Sequence, residues 1–277
     1  MPDVSSSRRR NGIDPVLVLL PDGGTLAERV HSTLSAKNAR VTFDEIAEAI
    51  DAGDVGLVDS STAFVHRPVP DEVDIELPVL LETERLIAVD KPSGISTTPQ
   101  GSFVARSVLV QARRRFGDVS CAHRLDRATS GVMLLVKDAE FRGTYQSLFE
   151  NGLATKTYEF FSENVTAPPA VYRSRLESVG QRTAQVDGEP NAVTELTLLE
   201  DCGGFGRYRA LPRTGKTHQI RVHAVACSIP IIGDTLYGPG DGFPDRIELL
   251  ARTLEFIDPV DGKPVRISSR QELQHQE

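Results

Sequence analysis

The chain has 277 residues, 39% of them hydrophobic and 25% charged, which is ordinary for a globular protein and long enough for one large domain or two small ones. Its net charge of −8 argues, taken whole, against a nucleic-acid partner, and no apolar run approaches the ~18–20 residues of a membrane-spanning helix. Three cysteines, Cys121, Cys202 and Cys227, form no C-x-x-C pair, so the count argues against a disulfide framework or structural zinc and fits a reducing cytoplasm.

The first stretch, "MPDVSSSRRRNG", lacks the apolar core of a signal peptide, and residues 1–15 read as a disordered polar tail. Residues 16–79 read as a small separate unit. "TLAERVHSTLSA" and "TFDEIAEAIDAGD" have helical spacing, and Thr42 with Glu45 three residues on forms a capping-box pattern. "VGLVDSS" and "DEVDIELP" read as short strands, and Pro68, Pro70 and Pro78 place a boundary near 79. Residues 41–80 hold ten acids and one base, Arg67, so the remainder of the chain is close to neutral. A local basic face is therefore compatible with an acidic protein.

From residue 80 the texture changes. "RLIAVDKPSG" reads as a strand entering a turn, and "FVARSVLVQARRRFG" as a helix with arginines on one side. "GVMLLVKD" is a continuous apolar run, as in a buried central strand, and "AEFRGTYQSLFEN" is again helical. "KTYEFF", "VTELTLLE", "YRALP", "HQIRVHAVA" and "RTLEFID" read as strands, so residues 80–277 form an α+β domain on a mixed sheet. "TGKTH" is no phosphate loop, because Ala210 stands where that loop needs glycine; "GPGDG" lacks a strand-to-helix setting and reads as a loop. His218 and His223, five apart, fall on opposite faces of a strand. With His123 and Asp126 they make at most a weak metal site, and a buried, hydrogen-bonded histidine is the commoner outcome.

"HRLDRATSG", residues 123–131, carries the chemistry. Asp126 stands between Arg124 and Arg127, just before the apolar strand, and six arginines (106, 113, 114, 115, 124, 127) face two acids across residues 101–131. Nearby cations favour an ionised carboxylate. Such a group attacks as a nucleophile or stabilises positive charge on a sugar, while a lone acid does not fit ordinary glycoside hydrolysis, which uses two. Arginines that grip phosphate beside it point to a nucleotide's sugar or base.

"HRLDRATSG" resembles the signature of the RluA-type pseudouridine synthases. In order, "LIAVDKPSGISTTP" (86–99), "KTYEF" (156–160), "TGKTHQIRVH" (214–223) and "PIIGDTLYG" (230–238) resemble further motifs of that family. The resemblance covers residues 80 to about 260. It implies a pseudouridine synthase fold: a mixed, mostly antiparallel central sheet flanked by helices and loops, with no cofactor and no metal. Asp126 becomes the catalytic aspartate, Tyr158 stacks on the uracil and is a candidate for moving the C5 proton, and Arg221 pairs with Asp126. Arg124 extrudes the target nucleotide and fills its place. His123, Arg127, Thr129 and His218 join the substrate-binding rim, and Leu249 packs near the base.

Ser228 and Ile229 depart from the family's Gly-His, and Leu250 from its histidine. Residues 16–79 resemble the α-L RNA-binding module that precedes this domain, but their acids repel phosphate, so the unit reads as a degenerate copy serving packing, protein contacts or exclusion of wrong RNAs. The expectation is a monomeric cytoplasmic RNA isomerase without membrane contact, with ribosomal RNA favoured over transfer RNA by analogy. The rivals are an RNA chaperone of the same fold that no longer isomerises, and a metal-dependent hydrolase built on His123, Asp126, His218 and His223.

Overall fold

The computed structural model describes residues 9–37, 39, 41–66, 74–99, 104–239 and 244–274. The chain divides into two compact units, Met1–Val73 and Asp74–Glu277, so residues 74–79 belong with the larger unit rather than the smaller. In the small unit, strand β1 (Val16–Leu19) is followed by helices α1 (Leu26–Ala36) and α2 (Phe43–Asp51), then strands β2 (Val55–Asp59) and β3 (Thr62–Val65). The sheet order is β1-β3-β2, antiparallel throughout. Both helices start with complete capping boxes, Thr25 with Glu28 and the expected Thr42 with Glu45. Val18, Val30, Ile46, Val55 and Ala63 form its core.

Two expectations for this part of the chain change. Residues 1–8 lie outside the described residues, but residues 9–15 are not a loose tail. Arg10 and Ile13 exchange backbone hydrogen bonds around a turn at Asn11 and Gly12, and the Arg10 guanidinium pairs with Asp54. In "DEVDIELP", residues 71–73 lie outside the described residues and residues 74–78 join no ladder. Two of them bond to a helix instead: the Ile75 amide donates to Gln111 Oε1, and Arg115 donates to the Leu77 carbonyl, while the Pro78 carbonyl accepts from the Asp90 amide.

The large unit contains β4 (Val79–Glu82), β5 (Leu86–Lys91), α3 (Val108–Phe116), β6 (Ser120–Cys121), β7 (Ser130–Val136), α4 (Arg142–Glu150) and β8 (Thr155–Ser162). Then come β9 (Val171–Val179), β10 (Arg182–Val186), β11 (Ala192–Asp201), β12 (Gly206–Pro212), α5 (Gln219–Ala226), β13 (Leu249–Ile257) and β14 (Pro264–Ser268). One sheet runs β10-β9-β11-β12-β8-β13-β7-β5-β4, with β14 paired to β13 and β6 to β7. β13 and β7 are parallel and every other pairing is antiparallel, giving the mixed, mostly antiparallel α+β architecture.

The central strands read as continuous apolar runs because both faces are covered. Val132, Leu134 and Val136 of β7 enter one core cluster, and Met133 and Leu135 enter the opposite one. Leu86 and Ala88 of β5 join the first, Ile87 and Val89 the second. Burying side chains of this size contributes about 1.5–3 kcal/mol each. Gly131, at φ +111°, is where β7 meets β13; a Cβ there would run into the Ala251 backbone.

"HQIRVHAVA" is a helix, α5, where a strand is expected. All six residues from Gln219 to Ala224 are buried, so the helix has no polar stripe to reveal its period. Its polar side chains are held inside: Gln219 bonds to the Val193 carbonyl, Thr194 and Thr214, and His223 to Ser174 and Thr194. Ser228, just past α5, adopts φ +60°, a left-handed conformation that favours glycine.

Candidate active site

Asp126 lies on the loop between β6 and β7, and the stretch after β5 clamps that loop. Lys91 is fully buried, and its ammonium donates to three carbonyls, those of Pro92 (3.1 Å), Arg127 (3.1 Å) and Thr129 (2.6 Å). Ser93 Oγ donates to the Ala128 carbonyl, and the Gly94 amide to that of Arg127. Thr97 Oγ1 donates to the Leu125 carbonyl and accepts from its amide. "KPSGIST" is therefore the mould in which residues 125–129 are cast. Burial pulls the Lys91 pKa down from 10.5 to about 7, against the pull of the Asp126 charge.

The far side of the site comes from α5 and the turn after it. Arg221 and Asp234 form a bidentate pair, Nε to Oδ2 and Nη2 to Oδ1, both at 2.7 Å and both nearly inaccessible. Asp234 Oδ1 also accepts from the Leu236 and Tyr237 amides. The Arg221 guanidinium lies over the Tyr237 ring, 5.0 Å from its centroid, and its Nη1 stands 3.8 Å from Asp126 Oδ2. The expected Arg221–Asp126 partnership is thus the looser of two: the tight partner is Asp234. Burial works against the Arg221 charge, but Asp234 and Asp126 outweigh it and hold its pKa above the ordinary value.

His218 Nε2 is also 3.8 Å from Asp126 Oδ2, while its Nδ1 is 2.7 Å from the Tyr237 hydroxyl. Burial pushes the His218 pKa down, with Asp126 opposing. Tyr158, on β8, packs against the two core clusters that meet beneath the loop, one of which contains Leu249. Its phenol is pushed well above the usual range, first by burial and then by the Asp126 charge, so it is a protonated hydroxyl at neutral pH. Arg124 is exposed and makes no ion pair or side-chain hydrogen bond among the described residues. An anionic carboxylate therefore faces two cationic or polar donors, with a neutral phenol nearby.

Asp126, Tyr158, Arg221 and His218 converge, with Arg124 on the rim. Arg127 pairs with Asp245 at 2.8 Å, and Thr129 is buried, its carbonyl serving Lys91. Leu249 is buried opposite Phe160 in the sheet. His123 departs from the expected rim: it stacks on Phe149 at 4.4 Å, and its Nε2 accepts the Leu134 amide. Burial drops its pKa to about 3, so it is a neutral structural acceptor. With His123 turned to Phe149 and His223 held by Ser174 and Thr194, the set weighed as metal ligands does not converge. Among the described residues no group of three or more His, Cys, Asp and Glu is placed to hold a metal ion.

The arginines of α3 also differ from the phosphate-gripping row expected. Arg113 donates to the Val119 carbonyl; Arg115 donates to Leu77 and lies over Phe116 at 4.8 Å; Arg114 stands 4.0 Å from Asp74. Sequence reasoning missed Lys91, Asp234 and Tyr237. The signal was a charge inside an apolar strand ("LIAVDK") and another inside an apolar turn ("PIIGDTLYG").

A family model described as RNA pseudouridylate synthase matches residues 85–226. A Xanthomonas campestris protein named ribosomal large subunit pseudouridine synthase D is 32% identical over 232 residues, covering 71% of this chain and 66% of its own length. The chain thus spans just under two thirds of that relative. A Vibrio vulnificus protein named dual-specificity RNA pseudouridine synthase RluA is 28% identical over 197 residues, covering 65% of this chain and 78% of its own. Among solved structures, human RNA pseudouridylate synthase domain containing 1 aligns with a TM-score of 0.60 at 23% identity, over 73% of this chain and 86% of that one. This likeness gives the fold.

Proposed function

The chain belongs to the RNA pseudouridylate synthase family, of the RluA type, and from that premise we propose that it isomerises uridines in RNA to pseudouridine with Asp126 as the acting carboxylate. The reaction breaks the N1–C1′ bond, turns the base and joins C5 to C1′; a proton leaves C5 and one is gained at N1. Nothing is oxidised and no group departs, so the chemistry consumes no cofactor. The observation that carries this reading is the Asp126 carboxylate faced at 3.8 Å by both Arg221 and His218, with Arg221 locked behind it by Asp234. Donors that hold a carboxylate without engaging it fully leave an oxygen for attack at C1′ or C6, or for support of a glycal route.

A base inside an RNA helix is out of reach of this site, so the nucleotide swings out, at a cost of roughly a few kcal/mol. Exposed Arg124, two residues from Asp126 and without an ion pair among the described residues, suits the space left behind. Tyr158 suits stacking on the uracil, and as a neutral phenol it offers a hydrogen bond to it. Ribosomal RNA is the favoured substrate, in line with the name of the Xanthomonas relative, and the site of action is the cytoplasm. The protein acts as a monomer, and the acidic small unit, read as a degenerate α-L-like module, contributes little to RNA affinity. Incubating the protein with transcripts of large-subunit ribosomal RNA and of transfer RNA, then mapping pseudouridine, tests the reading. New pseudouridine at defined positions supports it; unmodified transcripts of both kinds oppose it.

A further inference from the structure

Tyr237 sits at a junction that neither the motifs nor the comparisons assign. Its hydroxyl is 2.7 Å from the Thr183 amide nitrogen on β10 and 2.7 Å from His218 Nδ1. A phenol has one proton to give and lone pairs to receive. The Thr183 N–H can only donate, so it occupies a lone pair. Thr183 Oγ1 also borders the phenol, but it is buried and meets no partner at good hydrogen-bond geometry among the described residues, and as a hydroxyl it can donate to the phenolic oxygen rather than accept from it. The best-placed acceptor for the phenolic proton is His218 Nδ1, at 2.7 Å. A neutral imidazole whose Nδ1 accepts carries its proton on Nε2, and Nε2 is the nitrogen that faces Asp126 Oδ2.

The ring is held neutral by its surroundings. Burial and the Arg221 and Arg124 charges disfavour the imidazolium, while Asp126 and Asp234 oppose them more weakly. The backbone is fixed too. His218 has φ +55°, a left-handed conformation rarely adopted by a side-chain-bearing residue, and Gln219 beside it locks the preceding loop through Thr214 and the Lys216 amide.

We infer that Tyr237 is a positioning residue that fixes His218 as the Nε2–H tautomer. Asp126 Oδ2 is then met by two donors, His218 Nε2–H and Arg221 Nη1, and Oδ1 becomes the oxygen presented to the nucleotide. His218 in this state cannot accept the C5 proton, so it is a donor and not the base. Presentation of Oδ1 and the exclusion of His218 as base rest on the function proposed above; the tautomer does not.

Nitrogen-15 NMR of histidine-labelled full-length protein tests this without substrate. The expected result is a bare Nδ1 and a protonated Nε2 for His218 near neutral pH. In Tyr237→Phe the single tautomer is lost, and kcat for pseudouridine formation falls by about tenfold while KM stays within about twofold. His218→Gln, whose amide donates in place of Nε2–H, recovers most of the activity that His218→Ala loses. A wild-type proton on Nδ1 overturns the inference. So does a Tyr237→Phe protein with unchanged tautomer and kcat, or His218→Gln as inactive as His218→Ala. Should Tyr237→Phe not fold, the wild-type spectrum and the His218 pair decide it. A protein that makes no pseudouridine but shows the expected tautomer would sink the proposed function and leave the tautomer standing.

Discussion

Asp234→Asn removes one charge from the pair that orients Arg221 and leaves the shape nearly unchanged. The Arg221 and Asp234 side chains are 4% and 1% exposed, so no water replaces what is lost. Removing one partner of a buried pair costs about 3–5 kcal/mol, because the other charge stays buried and underpaired. At about 2–4 °C per kcal/mol for a unit of this size, the melting temperature should fall by roughly 6–20 °C. The freed guanidinium also has a new place to go: its Nη1 is already 3.8 Å from Asp126. Closing that gap ties up the carboxylate, and turnover should drop at least about tenfold. The double variant Arg221→Met/Asp234→Asn leaves no charge at this buried pair, and its Asn can still accept from the Leu236 and Tyr237 amides. It should regain more than half of the lost stability and none of the activity. Thermal unfolding by circular dichroism and tritium release from C5-labelled uridine in RNA read the two effects separately. A single variant melting within about 2 °C of wild type, or an active double variant, refutes the reasoning.

Lys91→Met leaves three loop carbonyls without their shared donor and should cost about 3 kcal/mol. Its folded-state pKa of about 7 lies below 10.5, so between those values the unfolded chain binds more protons and wild-type stability should climb with pH. The variant should lose that climb in urea titrations from pH 7 to 10.5. Gly131→Ala puts a Cβ into the Ala251 backbone at a positive φ, and should lose at least ~3 kcal/mol or fail to accumulate as soluble protein. Arg124→Ala should slow turnover on structured RNA far more than on a short single strand; equal losses on both would argue against a role in flipping.

What the sequence made legible was what local chemistry alone determines. The run from Val132 to Val136 announces a strand covered on both faces, and Thr42 with Glu45 announces a helix start, since both depend on residues close together. Asp126 among arginines was legible for the same reason. Misreadings arose where distant partners decide. α5 hides its period because packing surrounds it, and its polar residues look exposed until Thr194 and Ser174 are seen to meet them. Arg113 and Arg115 look like a phosphate-binding row, but bond to carbonyls brought in by the chain on either side of their helix. His123 precedes Asp126 by only three residues, yet its ring stacks on Phe149 of α4. Asp234 is hard to see because its main partner, Arg221, lies thirteen residues back.

The most direct measurement replaces the Asp126 carboxylate with its amide. Asp126→Asn keeps size and shape and removes the anion, so the protein should fold and melt close to wild type. It should release no tritium from C5-labelled uridine in an RNA that the wild type modifies. Release at the wild-type rate would contradict the assignment of the chemistry to this side chain, and with it the account of the site.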